Sequence, residues 1–281
     1  MSKKQQIVES AIQLFAQNGI EATSIQHITK VTGISKGAFY LSFSSKEELI
    51  MEIIDTFMKQ FVADIDRVVN SDVTATTKLY QYFLEHLQLL ETHADFAKMY
   101  AQEQMYSLNE EILEKLMVYD MLIDESLIKL FEELYPKETK SQHYDLLVSV
   151  KGFVRIYSQL VLFHPYPHDT QQIAEALVEK TTILALHTKK WYVTEEMVRI
   201  PLLNKTGETG IESIQATILD LKTEQHPPLI EESLEVLEEE MARSTPRQAV
   251  IKGLYSNFME YSPTKWLSYL LNTMEPKKDA E

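Results

Sequence analysis

A run of residues near the N-terminus has the types and spacing for one kind of chemistry, contact with a nucleic acid. Thr23, Ser24 and Ser35 stand at the starts of two short helical patterns. A hydroxyl there lies beside the free N–H groups and the positive dipole end of a helix, which together suit a phosphate. Lys36 is placed for a phosphate or a guanine edge. Gly37 and Ala38 are small enough to let a helix approach closely, with the Ala38 methyl able to meet a thymine methyl. Tyr40 offers a phenolic hydroxyl to a sugar-phosphate backbone. Lys46 falls in the first turn of a longer helix, where the dipole alone disfavours a cation and a phosphate partner explains it better.

The elements that must position these groups follow from apolar spacing and caps. Ile7, Val8, Ala11, Leu14 and Phe15 share one face of a helix over about 5–17, ended by Asn18-Gly19. Thr23 with Gln26 makes a capping box for a second helix that buries Ile25, Ile28 and Val31. Gly33 suits a turn that needs positive φ, and Ser35 caps a third helix to about Phe43. Two short helices about a glycine turn make a helix-turn-helix, whose second helix is built for the DNA major groove. Ser45-Lys46-Glu47-Glu48 then opens a long helix to about Val69.

Charge placement agrees with this. The net charge of the 281 residues is -15, which on a uniform surface would repel phosphate. Residues 1–46, however, carry Lys3, Lys4, Lys30, Lys36 and Lys46 against Glu9 and Glu21, a balance of +3, leaving -18 for the rest. A locally basic head on an acidic body can reach DNA while the body stays off it. With no cysteine, disulfides and thiolate metal or redox sites are excluded, which fits a reducing cytosol. The opening MSKKQQIVESAIQLF alternates polar and apolar residues, unlike a signal peptide, and no unbroken apolar run approaches the roughly 18 residues that span a bilayer. No membrane partner and a cytoplasmic location are therefore expected.

Few glycines and prolines and apolar spacing of three and four point to an all-α protein. Helices are expected over about 74–93, 95–107, 109–135, 141–163 and 169–191, with breaks at Pro136 and at 164–169. Beyond Trp191 an irregular connection follows, with a short extended piece at Met197–Ile200, and then helices over about 211–225, 229–243, 246–260 and 263–274. Glu231, Glu232, Glu235 and Glu238-Glu239-Glu240 read as the solvated face of one of these, with Ile230, Leu234, Val236, Leu237 and Met241 turned inward. The chain thus divides into 1–46, 47–191 and 192–281. Of the eight histidines, His164 and His168 are four apart but flank two prolines in a loop, so no helical i,i+4 pair arises, and no nucleophile elbow, P-loop or dinucleotide glycine fingerprint occurs. No enzyme, catalytic residue, cofactor or metal is expected.

Residues 7–57 resemble the DNA-binding domain of the tetracycline-repressor (TetR) family of bacterial transcription regulators. The resemblance rests on Ala11-x-x-Leu14-Phe15-x-x-x-Gly19, Thr23-Ser24-Ile25, Ile28, Gly33 to Tyr40, Phe43 and Lys46-Glu47-Glu48-Leu49. Ser42 stands where the family often has His, and Phe39 where it often has Leu. No arginine occurs in the first 60 residues, so bidentate Arg–guanine readout is absent. The resemblance implies a helical effector-binding and dimerisation domain behind the head. By that analogy Tyr82, His86, Tyr100, Met105, Tyr106, Tyr119 and Tyr157 would line a pocket for an apolar or aromatic small-molecule effector. The last two body helices, 141–163 and 169–191, would form a homodimer bundle through rows such as Leu146, Leu147, Val150, Val154, Tyr157 and Val161, then Ile173, Leu177, Thr181 and Leu184. The implied function is a ligand-responsive repressor that binds a palindromic operator as a homodimer. Two rivals remain: a DNA-binding activator without an effector, and an interaction protein that recruits a partner through 192–281.

Overall fold

Ile7, Ala11, Leu14 and Phe15 recur at helical spacing, and they form the buried stripe of α1 (Lys3–Asn18). Gly19, at φ 82°, takes the left-handed residue that ends it. The computed structural model describes residues 3–103, 110–136, 140–164, 166–198, 211–243 and 245–273. Among these every regular element is helical. α2 (Ile25–Thr32) and α3 (Lys36–Tyr40) are joined through Gly33 at φ 73°, a left-handed turn that a side chain would strain. α3 is just under one turn shorter than its pattern suggests, ending at Tyr40 rather than near Phe43.

α4 (Lys46–Val69) follows, with Ser45 Oγ accepting the Glu48 N–H at 3.0 Å and the Glu48 carboxylate receiving the Ser44 N–H. Those bonds to Ser44 hold the Glu48 carboxyl below its ordinary pKa. Then come α5 (Ala75–Thr92), α6 (Ala94–Glu103), α7 (Glu110–Leu134), α8 (Lys140–Phe163) and α9 (Thr170–His187). α9 stops at His187, four residues before Trp191. The extended piece expected at Met197–Ile200 is instead a single turn, α10 (Glu195–Val198), started by acidic residues at its N-terminus; Ile200 lies outside the described residues. Asp145 fixes the approach to this turn by accepting the N–H groups of Tyr192 at 2.9 Å and Val193 at 2.8 Å.

The C-terminal segment forms α11 (Ile211–Leu221), α12 (Pro228–Met241), α13 (Gln248–Glu260), a 3-10 turn (Ser262–Thr264) and α14 (Lys265–Thr273). Ile230, Leu234, Leu237 and Met241 make one stripe, and Ile251, Leu254 and Phe258 another. Val236 is only half-buried. Glu240, expected on the solvated face, is buried with 1% of its side chain exposed. Arg247 explains this: its guanidinium donates to both Glu240 oxygens, at 2.6 to 3.1 Å. Those hydrogen bonds hold the carboxyl down to about 2.

The chain divides into two compact units. One comprises Met1–Phe57 and Asp72–Arg199, the other Met58–Ser71 and Ile200–Glu281. The second half of α4 therefore belongs to the C-terminal unit. Phe258 is fully buried in that unit. Replacing Phe258 by Ala should destabilise it by about 3–5 kcal/mol through lost burial and a residual cavity. Urea unfolding followed by Trp266 fluorescence in a Trp191→Phe background checks this, and an unchanged midpoint would contradict it.

Candidate nucleic-acid interface

The head's two short helices are started by the serines, each in the way a cap should work. Ser24 Oγ accepts the His27 N–H at 3.1 Å, and Ser35 Oγ accepts the Ala38 N–H at 3.1 Å. Both serines are exposed, so a second acceptor lone pair and the hydroxyl proton stay available to solvent. Thr23 is different. It is fully buried, and its hydroxyl donates to the Gly19 carbonyl at 2.8 Å, with Leu14 O at 3.3 Å. The cap expected of Thr23 falls to Ser24, and the Thr23 hydroxyl is turned away from any phosphate because it closes the turn after α1.

Lys36, Gly37 and Tyr40 form the exposed surface of α3, with Ala38 half-buried beside them. A Cβ added to Gly37 would come no closer than 3.9 Å to any neighbour, the nearest being Ser35 Oγ. The fold does not demand glycine there; its smallness keeps the outer surface of the helix low. The Tyr40 ring meets Phe39 edge-on at 5.5 Å, and Lys36 Nζ lies 5.8 Å from its centroid. Phe39 and Phe43, both buried, brace α3 from beneath with centroids 5.9 Å apart. Ser42 is half-buried, its N–H bonded to Phe39 O at 2.8 Å. Sequence reasoning passed over Leu41, which is 91% exposed at the end of α3. An apolar residue so placed is invisible to a spacing argument that assigns apolar types to the core.

Lys46 does not point outward. Its ammonium donates to the Ile20 carbonyl at 2.6 Å and to the Thr23 carbonyl at 3.0 Å. The long flexible stem lets the cation reach back over the turn before α2 and satisfy two carbonyls that no helix uses. Its phosphate role is replaced by an internal one.

Four of the seven residues expected to line an effector pocket have described side chains. Tyr82 and His86 come together on α5, ring centroids 4.4 Å apart, with His86 Nδ1 2.8 Å from the Tyr82 carbonyl. Tyr119 is buried elsewhere, donating to Asp55 on α4, with Lys115 paired to the same carboxylate at 3.1 Å. Tyr157 lies half-exposed on α8, under Lys180 Nζ at 6.0 Å. The Tyr100 side chain and all of Met105 and Tyr106 lie outside the described residues. A cleft of about 350 Å³ does exist at the start of α4, but it is open and lined by Glu47, Glu48, Glu52, Asp55 and Lys115 rather than by the aromatic set.

Beside Tyr82 and His86 is a charged group the sequence did not single out. Lys151 on α8 donates to Asp120 at 2.6 Å and to Asp124 at 2.7 Å, both on α7. Asp120 and Asp124 are one helical turn apart, a spacing that in sequence looks like a solvated face. Burial, then the charge of Asp120, pushes Asp124 up to about 6. Burial lowers His86 to about 4 and raises Tyr82 well above its ordinary value. Burial also works against the Lys151 charge, but Asp120 and Asp124 outweigh it and hold that pKa up.

An N-terminal helix-turn-helix with an exposed, small-residue reading helix, carried on a helical body, defines a DNA-binding transcription regulator. Residues 7–53 match the family model described as bacterial regulatory proteins, tetR family. The chain is 28% identical over 270 residues to the HTH-type transcriptional regulator YuxN of Bacillus subtilis, covering 92% of each chain. It is 27% identical over 263 residues to the regulator YerO of the same organism, covering 91% of this chain and 89% of the other. The fold is also that of the regulator FadR from Bacillus subtilis, solved in complex with stearoyl-CoA, at a TM-score of 0.57 and 19% identity. It matches the ketosteroid regulator KstR2 of Mycobacterium tuberculosis at 0.54 and 20%. These structures are covered over 99% and 96% of their own length but over only 66% and 67% of the present chain. Residues 7–53 thus carry a tetR-family DNA-binding domain, and about a third of the chain lies outside either structural match.

Two measurements separate the roles assigned here. Lys36→Ala should weaken DNA binding and reduce the slope of log K against log salt by about 1, as loss of one phosphate contact does. Lys46→Met should weaken binding with the salt slope unchanged, and should cost the head about 1–3 kcal/mol for the lost charged hydrogen bonds. A slope reduced by Lys46→Met would restore its phosphate role.

The pH dependence of stability provides a second check. Between about pH 4 and 6.5 the unfolded chain protonates His86 while the folded chain cannot, so this group makes stability rise with pH. Between about pH 4 and 6 the folded chain keeps a proton on Asp124 that the unfolded chain releases, so this group makes stability fall with pH. Each shift corresponds to roughly 2–3 kcal/mol, and they oppose each other. Asp124→Asn should therefore leave stability rising from pH 4 to 6.5, and His86→Gln should leave it falling from pH 4 to 6. Slopes of the same sign in both variants, by urea denaturation, would refute the assignment.

Proposed function

We propose that this regulator is a ligand-responsive repressor that binds a palindromic operator as a homodimer in the cytoplasm. Residues 1–46 serve as the DNA head and 47–191 as the effector-binding and dimerisation body. The observation that carries the reading is the outer face of α8. Val148, Ile156, Leu160 and Phe163 form an exposed apolar row there, Ile156 at 59%, and Ile183 and Leu186 on α9 add to the uncovered apolar surface. Gly152 lies in the same row, exposed, and no neighbour would meet a Cβ added to it. A glycine inside a helix costs about 1 kcal/mol against alanine, and its own chain gives no reason for it. Close approach of a second helix does.

The particular residues differ from those expected. Leu146, Leu147, Val150, Leu177 and Thr181 are buried within the chain, where they pack the body, while the outward row of α8 lies on a different side of that helix. Within Ser141–Phe163 the mean hydropathy reaches 1.5 over an 18-residue window of which only 17% is buried, so by length and composition alone this helix could cross a membrane. Lys151 and Arg155 in its middle disfavour that, since charges are costly in hydrocarbon. A two-fold partner covers the same surface without that cost and sets two reading helices roughly 34–36 Å apart.

Induction follows from linkage: an effector that favours misplaced reading helices weakens operator binding by the factor that the operator weakens the effector. α4, which starts at the head, is the natural transmitter. The effector is read as an apolar or aromatic small molecule, and stearoyl-CoA, the ligand of the similar FadR structure, is the first compound to test.

The double variant Ile156→Glu, Ile183→Glu should sediment as a monomer and bind a duplex selected by the wild-type protein about a hundredfold more weakly, because the second head loses its effective concentration. A wild-type protein that is already monomeric in sedimentation would overturn the dimer reading.

A further inference from the structure

The C-terminal unit is not an appended domain with a core of its own. Its fold includes the end of α4, the helix that begins at the DNA head. Along Phe61–Val69 all residues but Asp64 and Arg67 are buried, on every side of the helix. Two carboxylates two residues apart, hence on different sides of the helix, are both taken up by α14. Asp64 accepts from Lys265 Nζ at 2.6 Å, and Asp66 accepts from Asn272 Nδ2 at 2.9 Å. Ser262 Oγ adds a bond to Gln60 Oε1 at 3.3 Å, and Lys59 Nζ lies 5.8 Å from the Trp266 ring centroid. These contacts join positions about 200 residues apart in sequence, and they span about two turns of α4, from Lys59 to Asp66.

The near end of the same helix is fixed independently. Lys46 is bonded to the turn before α2, and Phe57 stacks on Phe96 of α6 at 4.0 Å. α4 is one unbroken helix from Lys46 to Val69, so a loosened far half reaches the head through the helix itself.

We propose that Lys265 and Asn272 are positioning residues for operator binding: by holding Asp64 and Asp66 they fix the far end of α4, and the C-terminal unit thereby sets how often the head is in its DNA-competent orientation. This rests on the reading of α4 as the transmitter. The apparent dissociation constant is the intrinsic one divided by the competent fraction, so loosening the far grip raises it.

The test uses the full-length protein and a duplex selected from a random pool by the wild-type chain. Lys265→Ala with Asn272→Ala should raise the dissociation constant about tenfold by fluorescence anisotropy. Lys265→Arg, which keeps the charge and donor, should stay within about twofold of wild type. Glu240→Gln disturbs the same unit at a pair whose partners are Arg243 and Arg247, not α4. It should leave affinity within about twofold. Hydrogen exchange of amides 46–57 supplies a readout that needs no DNA and should quicken in the double variant. Equal weakening by Glu240→Gln, or faster exchange confined to 58–71 and 211–273, overturns the proposal. Failure of the wild-type chain to select any duplex would instead overturn the operator reading, and the exchange measurement would still decide this one.

Discussion

The hydrogen bonds from Lys46 to the carbonyls of Ile20 and Thr23 hold the head to the rest of the protein. A cation in the first turn of a helix opposes the macrodipole, and here that cost is offset by two carbonyls at the turn between α1 and α2. The same turn is closed from inside by the Thr23 hydroxyl, so two side chains, Lys46 and Thr23, determine the approach to α2. Ser24 and Ser35 are thereby left as the exposed caps, and α3 is presented with its small residues and Tyr40 outward.

Behind the head, shielded carboxylates are held by cations nearer the surface. Asp124 with Lys151, Asp55 with Lys115 and Tyr119, and Glu240 with Arg247 each set such a carboxylate against a partner that reaches it from the side of the solvent or of a neighbouring helix. Such groups tolerate little displacement, because moving one member leaves the other uncompensated in low dielectric. The opposed titrations of His86 and Asp124 show the same economy of charge, with one group kept neutral by losing a proton and the other kept partly neutral by retaining one.

The head was legible in sequence because its signals are local. A capping serine acts on an N–H three residues away, and Gly33 answers a φ requirement at its own position. Thr23 and Lys46 were misread for the complementary reason. Their partners lie four to nine and 23 to 26 residues away, so type and neighbours predicted a solvent-facing group while the fold supplied internal acceptors. Glu240 failed likewise: within a run of glutamates nothing marks the one that Arg247 draws inward. The contacts of Tyr82, His86, Tyr119 and Tyr157 were not legible, because helical spacing places a residue on a face but does not say which helix that face meets.

The sequence by itself determined that the described chain is helical, where most of its helices begin, and that the N-terminal segment is a DNA-reading head, since caps, glycine turns and apolar stripes act over one or two turns of chain. Only the tertiary structure decided which hydroxyls and cations are free for a partner, which row of α8 is outward, and that the end of α4 belongs with α14. Those outcomes depend on contacts between positions up to 206 residues apart. Their pairing follows from how helices pack and from where a buried charge finds its counter-charge, neither of which periodicity encodes.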